Sequence, residues 1–383
     1  MLLLWLVLLS YLLKKNSKRV NVFSTEKDVT FFKVILLLLQ GIKTEIQTCN
    51  YQPYFYMKQL IHDFPKHIEE AFVIAEKSTF RTPTAEIQNI IICGMGGSGI
   101  GAKIVSNWVQ NEIKLSITLV TDYTLPSFAS AHSLIIGSSY SGNTEETMMA
   151  LEEAKALGAH IMCVCSGGKM EQFCKDNQYD CVIVPGGNPP RSTLAFSLVQ
   201  LLNMLNSLGF IGSSTLNNMK AAQILLTENL SEIQSVAQEV SAHLFGKIGV
   251  LYGETKYEGV IVRARQQFNE NSKYLCWHHT IPEMNHNELV GWGGGDERFA
   301  PIFFETSDVH PRNKKRFEIT KKATEDKCGK VFSISAKGDS MVEQSLYLIH
   351  VVDWASYYLC EANQQDIIDI EIIDYLKGEL SKF

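Results

Sequence analysis

Residues 90–101, Ile90-Ile91-Ile92-Cys93-Gly94-Met95-Gly96-Gly97-Ser98-Gly99-Ile100-Gly101, decide the fold. An apolar run of strand length ends in closely spaced glycines, and helical spacing begins at Ile100. Outward from this point the same unit repeats. Strands are expected at Ile90–Gly94, Ile117–Thr121, Leu134–Ser138, His160–Cys165 and Cys181–Val184. Helices are expected at Ile100–Gln110, Glu145–Leu157 (stopped by Gly158) and Met170–Asp176. Near-continuously apolar strands alternating with helices predict an α/β lobe, a parallel sheet with helices on both faces.

Further along, Arg191–Gly209 and Leu216–Leu244 read as long helices with no strand between them. The strand pattern restarts at Ile248–Tyr252 and continues with helix Glu258–Gln267, strands Ile302–Glu305 and Val331–Ile334, and helix Met341–Leu359. The chain is thus expected to hold two lobes of one kind, a degenerate internal repeat: 57–212, a helical bridge at 213–244, and 245–383. Upstream, Gln59–Lys77 has helical spacing, with Pro65 placed to kink or divide it. Residues 1–56 read differently. The apolar run Leu2–Leu13 and the second greasy stretch Val34–Leu39 are shorter than the ~18–20 residues of a spanning helix. Lys14, Lys15, Lys18 and Arg19 follow the first run, whereas a signal peptide carries its charge before it. A signal anchor is the alternative. The preferred expectation is an extension that is not part of the working protein, with a natural start at Met57 and no membrane partner.

The 383 residues are 45% hydrophobic and 20% charged, which excludes a disordered or collagen-like chain. Lys plus Arg is 35 and Asp plus Glu 41, so the net charge is 35 − 41 = −6; with no long basic run, a nucleic-acid partner is not expected. Nine cysteines include no CxxC pair, and Cys163 and Cys165 sit two apart, on one face of a buried strand. A reduced, cytoplasmic compartment follows.

Two loops carry the chemistry. Gly94, Gly96 and Gly99 match G-x-G-x-x-G, and Asp122 lies near the end of the next strand, which alone favours a nicotinamide enzyme. The physical content is broader: glycines let backbone N–H groups approach an anion at a helix start. The bland reading is a plain glycine turn. After the third strand come Ser139-Tyr140-Ser141-Gly142-Asn143-Thr144, with three hydroxyls immediately before a helix. N-capping would use one of them; three suit a phosphate cup without lysine or metal. Both loops end strands of one parallel sheet and can share a crevice.

Gly96-Gly97-Ser98-Gly99 followed by Ser139–Thr144 resembles the sugar isomerase (SIS) domain, a phosphosugar-binding fold. Pro189-Pro190-Arg191, Asn269-Glu270-Asn271-Ser272-Lys273, Pro282-Glu283-Met284-Asn285-His286-Asn287-Glu288 and the terminal Leu376-Lys377 extend the likeness. From about residue 57 onward the chain resembles the bifunctional phosphoglucose/phosphomannose isomerase family. The resemblance implies two SIS-type lobes and an aldose–ketose isomerase that links fructose 6-phosphate with glucose 6-phosphate and mannose 6-phosphate through an enediolate. It implies phosphate binding at Gly97, Ser98, Ser139, Ser141 and Thr144, and a homodimer with shared active sites.

The same likeness gives Glu270 the C1/C2 proton shuttle, and His286 (reaching in from the partner subunit) and Lys377 the ring opening, while a guanidinium fixed at Arg191 can stabilise an enediolate oxygen. Proton transfer by one carboxylate calls for no redox cofactor and no metal. The residues themselves fit these roles. Glu270 falls just past a predicted helix end, where the dipole disfavours its charge and so strengthens it as a base. Arg191 follows two prolines at a helix start, a poor place for an idle cation. His278 and His279 with Glu283 or Cys276 match no common zinc spacing. Lys377 is expected on a C-terminal helix whose apolar face is Ile370, Ile373 and Leu376. One departure stands out. Family members often carry Pro and Thr early in that helix, where this chain has Asp366-Ile367-Ile368-Asp369-Ile370; it bears on the pocket around the sugar's C2 and C3. Two rivals remain: a non-catalytic phosphosugar-binding regulator, and a dinucleotide oxidoreductase resting on the glycines alone.

Overall fold

The computed structural model describes residues 54–383. The apolar stretches at 2–13 and 34–39, and the extension expected there, lie outside the described residues. Helical structure is already present at Tyr54, three residues before the expected start at Met57. The helix is divided at Asp63, one part covering 54–62 and the other Phe64–Ala75, because Pro65 lacks an N–H to continue the ladder.

Five strands, β1 (Asn89–Cys93), β2 (Ser116–Val120), β3 (Ser133–Ser138), β4 (His160–Cys165) and β5 (Asp180–Ile183), form a parallel sheet in the order β2-β1-β3-β4-β5. Four more, β6 (Ile248–Glu254), β7 (Trp277–Ile281), β8 (Phe299–Glu305) and β9 (Phe332–Ser335), form a second parallel sheet in the order β7-β6-β8-β9. Both sheets step from second strand to first, third and fourth. The internal repeat expected from the sequence is therefore a repeat of winding order.

Alternation along the strands explains why they read as unbroken apolar runs. Ile90 and Ile92 of β1 face one core, whereas Ile91 and Cys93 face another with Ile135, Cys163, Cys165 and Phe173. Cys163 and Cys165 do share a face. The larger core continues from Ile90, Leu134 and Val164 through the helices Leu194–Ser207, Leu230–Leu244 and Met341–Ala362 to Leu251, Ile302 and Phe304 of the second sheet. The far face of that sheet packs Val250, Tyr252 and Phe303 on Phe317.

The expected long helix Leu216–Leu244 is two helices, Ser214–Glu228 and Leu230–Leu244. The break falls at Asn229, whose backbone N–H and Nδ2 both donate to the Leu225 carbonyl, at 3.1 and 2.8 Å. Strand β7 and the helix Pro311–Cys328 are present without having been expected. Among the described residues, no helix is long and apolar enough to cross a membrane.

Candidate active site

The adjacent strands β1 and β3 end side by side and launch the two loops. The helix after β1 runs Gly96–Val109, with Met95 as its N-cap residue, so Gly96–Gly99 are its first turn and not a loop ahead of Ile100. Ser98 and Gly99 bond back to the Met95 carbonyl at 3.0 Å, leaving the N–H groups of Gly96 and Gly97 at the helix mouth. Ser98 Oγ accepts the Tyr140 N–H at 2.9 Å and ties the two loops together.

In the second loop Ser139 Oγ lies 2.8 Å from Thr144 Oγ1 and accepts the Gly142 N–H at 3.1 Å. Ser141 is exposed, and its Oγ accepts the Asn143 N–H at 3.3 Å. Thr144 is the N-cap residue of the helix Glu145–Ala156, yet no side chain caps that helix. Capping is therefore not what the three hydroxyls do.

Arg191 lies in a single 3-10 turn, Pro190–Ser192, set by the paired prolines. A Cβ added at Gly97 would stand 3.2 Å from the Pro190 carbonyl oxygen, so this turn rests directly on the glycine loop. The Arg191 side chain is not solvated at a helix start; it is 3% exposed. Its Nε donates to Asn271 Oδ1 at 2.7 Å and Nη2 to the Ile367 carbonyl at 2.6 Å. Nη1 faces Glu270 Oε2 at 3.5 Å. Burial pulls the guanidinium below the usual arginine range, and the Glu270 carboxylate opposes that pull.

The helix expected to end at Gln267 continues to Ser272, which places Glu270 in its last turn. Glu270 is partly exposed on the wall of an open cleft of about 580 Å³, shared with Asn269, Lys273, Asp369, Ile370 and Tyr375. Lys273, left-handed at φ 50°, folds back so that Nζ donates to the Glu270 carbonyl at 2.8 Å. Burial, and then the nearby Arg191, pushes its ammonium below the ordinary lysine range.

Contacts thus link the glycine loop to the serine loop through Ser98 and to the Arg191–Glu270 pair through Pro190, while none of Gly97, Ser98, Ser139, Ser141 and Thr144 lines the Glu270 cleft. His286 closes the short turn Glu283–His286 on the second lobe and is exposed. Lys377 lies on the helix Glu371–Leu380, every residue of which is exposed, including Ile373 and Leu376 of the expected apolar face. Among the described residues, no hydrogen bond joins His286 or Lys377 to Arg191 or Glu270.

Sequence reading missed the buried polar group behind Arg191. Arg263, 1% exposed, donates from Nη2 to the Arg191 carbonyl at 2.6 Å and pairs with Asp353 at 3.2 Å. Gln267 Nε2 donates to the same carboxylate at 2.7 Å. Burial pushes the Asp353 carboxyl up, and Arg263 pulls it back. A carboxylate alone in the apolar run Val351-Val352-Asp353-Trp354 was the available signal.

Comparison with known proteins bears on most of the chain. The family described as the bacterial phospho-glucose isomerase C-terminal SIS domain matches residues 233–380. A bifunctional phosphoglucose/phosphomannose isomerase from Aquifex aeolicus is 36% identical over 299 residues, 77% of this chain and 91% of that relative. Another of the same description, from Caldicellulosiruptor bescii, is 30% identical over 336 residues, 85% of this chain and 99% of the relative. Among solved structures, the C-terminal domain of glucosamine-fructose-6-phosphate aminotransferase from Francisella tularensis superposes with a TM-score of 0.64 at 13% identity, covering 82% of this chain and 97% of that one, which speaks to the fold alone.

Proposed function

Because the chain belongs to the bifunctional phosphoglucose/phosphomannose isomerase family, we propose that it interconverts fructose 6-phosphate with glucose 6-phosphate and mannose 6-phosphate. The observation that carries this reading is the pairing of Arg191 with Glu270 at the edge of an open cleft, beside two strand-tip loops rich in N–H and hydroxyl groups. Gly97, Ser98, Ser139, Ser141 and Thr144 hold the phosphate dianion. With the ring open, the Glu270 carboxylate takes the proton from one of C1 and C2 and returns it to the other. Arg191 stabilises the enediolate oxygen with a fixed, desolvated charge. Rotation about C2–C3 presents either face of C2 to the same carboxylate, giving either epimer. One group both takes and returns the proton, so the transfer needs no redox cofactor or metal.

Lys377 lies on the helix Glu371–Leu380, whose Tyr375 lines the same cleft as Glu270, whereas His286 makes no hydrogen bond to Arg191 or Glu270 among the described residues, which suits a homodimer with shared sites in which the partner subunit's His286 completes ring opening. The reading places the enzyme in the cytoplasm, in keeping with free thiols at all eight described cysteines.

A coupled assay on the three sugar phosphates, with and without chelator, tests the reaction. Glu270→Gln should lose at least ~10³-fold in kcat with substrate binding retained. Mixing the inactive Glu270→Gln and His286→Ala proteins should restore activity through mixed dimers. No recovery after subunit exchange overturns the shared site, and a fully active Glu270→Gln overturns the proton shuttle.

A further inference from the structure

We infer that Asn271 is a positioning residue that aims the Arg191 guanidinium at Glu270 while leaving its charge unspent; the inference rests on the isomerase reading above. Asn271 is fully buried and lies next to the proposed base on the same helix. Apart from Glu270, the acceptors holding the Arg191 side chain are an amide oxygen and a peptide carbonyl, Asn271 Oδ1 at 2.7 Å and Ile367 O at 2.6 Å. Both are neutral. They fix the fork through strong hydrogen bonds but do not cancel its charge. The remaining arm points at the one carboxylate that faces it.

The direction of the amide is settled by its neighbours. An arginine Nε can only donate, so the Asn271 oxygen must face it. Asn271 Nδ2 then donates to Ser356 Oγ at 2.9 Å, and Ser356 Oγ donates to the Asp353 carbonyl at 2.7 Å. Every donor in this buried chain meets an acceptor, and a flipped amide would set two donors against each other. Ser356 is itself fully buried. Behind it, Asp353 matches the charge of Arg263, which in turn grips the Arg191 carbonyl. Backbone and side chain of Arg191 are therefore held from separate sides, and the buried Asp353 carboxylate is matched to Arg263, which leaves Glu270 as the carboxylate that faces Arg191 among the described residues.

An asparagine serves this position where an aspartate would fail. A carboxylate at 271 would form a close ion pair with Arg191, draw its charge away from the enediolate and lose the donor to Ser356. The decisive variants are Asn271→Asp and Ser356→Ala, assayed for kcat, KM, Tm and affinity for a sugar-phosphate hydroxamate that mimics the enediolate. For Asn271→Asp, kcat should fall about 10–100-fold while KM stays within about threefold, and hydroxamate affinity should fall in step with kcat. Ser356→Ala leaves the Arg191 contact intact but frees the amide to turn, so kcat should fall about 3–10-fold with KM held. Should Asn271→Asp fail to fold, Ser356→Ala decides. A kcat within twofold of wild type overturns the inference, as does a loss shared equally by kcat, KM and Tm, which marks a merely structural role. Glu270→Gln in the same assay separates the two claims. If it keeps activity, the isomerase reading of the site fails; if it is inactive while Asn271→Asp turns over normally, only the role of Asn271 fails.

Discussion

Replacing Gly142 by alanine should damage the loop Ser139–Thr144, proposed to hold the phosphate, and the fold together, by an amount the structure sets. Gly142 has φ 64°, where a Cβ costs about 1–2 kcal/mol. That Cβ would also stand 2.9 Å from the Gly167 carbonyl carbon, and closer still to its oxygen. Neither loop can yield freely, because they are stitched together around the clash. Ser166 N donates to the Tyr140 carbonyl at 2.8 Å, Met170 N to the Gly142 carbonyl at 2.9 Å, and Lys169 N to Asn143 Oδ1 at 3.0 Å. Opening the gap to ordinary contact stretches at least two of these bonds, at about 1 kcal/mol each. The sum is about 3–4 kcal/mol. Gly158→Ala is the control: φ is 70°, but the nearest atom is the Ala131 Cβ at 4.0 Å. It should cost only the backbone penalty of about 1–2 kcal/mol. Urea unfolding of both variants, with KM for fructose 6-phosphate, reads the difference. We expect KM to rise more than about tenfold in Gly142→Ala, as Ser139 and Ser141 are displaced, and to hold in Gly158→Ala. Equal stabilities, or a wild-type KM in Gly142→Ala, would refute the reasoning.

Two further outcomes are expected. Ser141→Ala removes an exposed hydroxyl, so phosphate binding measured by calorimetry should weaken by ~1–3 kcal/mol while the unfolding midpoint stays put; unchanged affinity would move the cup elsewhere. His350 is fully buried, with Nε2 3.0 Å from the Ile61 carbonyl, and burial pushes its pKa down to about 4 against ~6.5 when unfolded. Between those values the unfolded chain binds a proton that the folded chain does not, so stability is full above about pH 6.5 and falls as pH drops toward 4. The loss from this residue is about 3 kcal/mol, and burial shifts His67, His160, His243 and His278 in the same direction. Urea unfolding at pH 7, 6 and 5 should show a shallower fall for His350→Phe than for wild type; parallel curves would dismiss the mechanism.

The sequence displays what is buried on both sides or repeated along the chain. Strand β4 matches its expected bounds, His160–Cys165, because both its faces are covered and its apolar run has sharp ends. Strand β7 is hidden by its edge position, where Trp277, His278 and His279 need not be apolar. The helix Pro311–Cys328 buries only Phe317, Thr320, Thr324 and Cys328, so its charged surface drowns the period. Asn269-Glu270-Asn271-Ser272 looks like a helix end because it is polar, yet Asn271 and Ser272 are fully buried against Ser356. The two strand-tip loops were legible because their composition is local, hydroxyls and glycines within a few residues. The grip on Arg191 was not, since its partners Asn271 and Ile367 lie 80 and 176 residues away.

Ile367 contributes to that grip through its main chain. Any amino acid offers a carbonyl, so the side chains of the stretch 366–370, here Asp366-Ile367-Ile368-Asp369-Ile370, can change while its main chain still steadies the arginine. The side chains of Asp369 and Ile370 meanwhile line the cleft. One short segment therefore divides its labour: its main chain anchors a buried cation, while its side chains are free to reshape the neighbouring cleft.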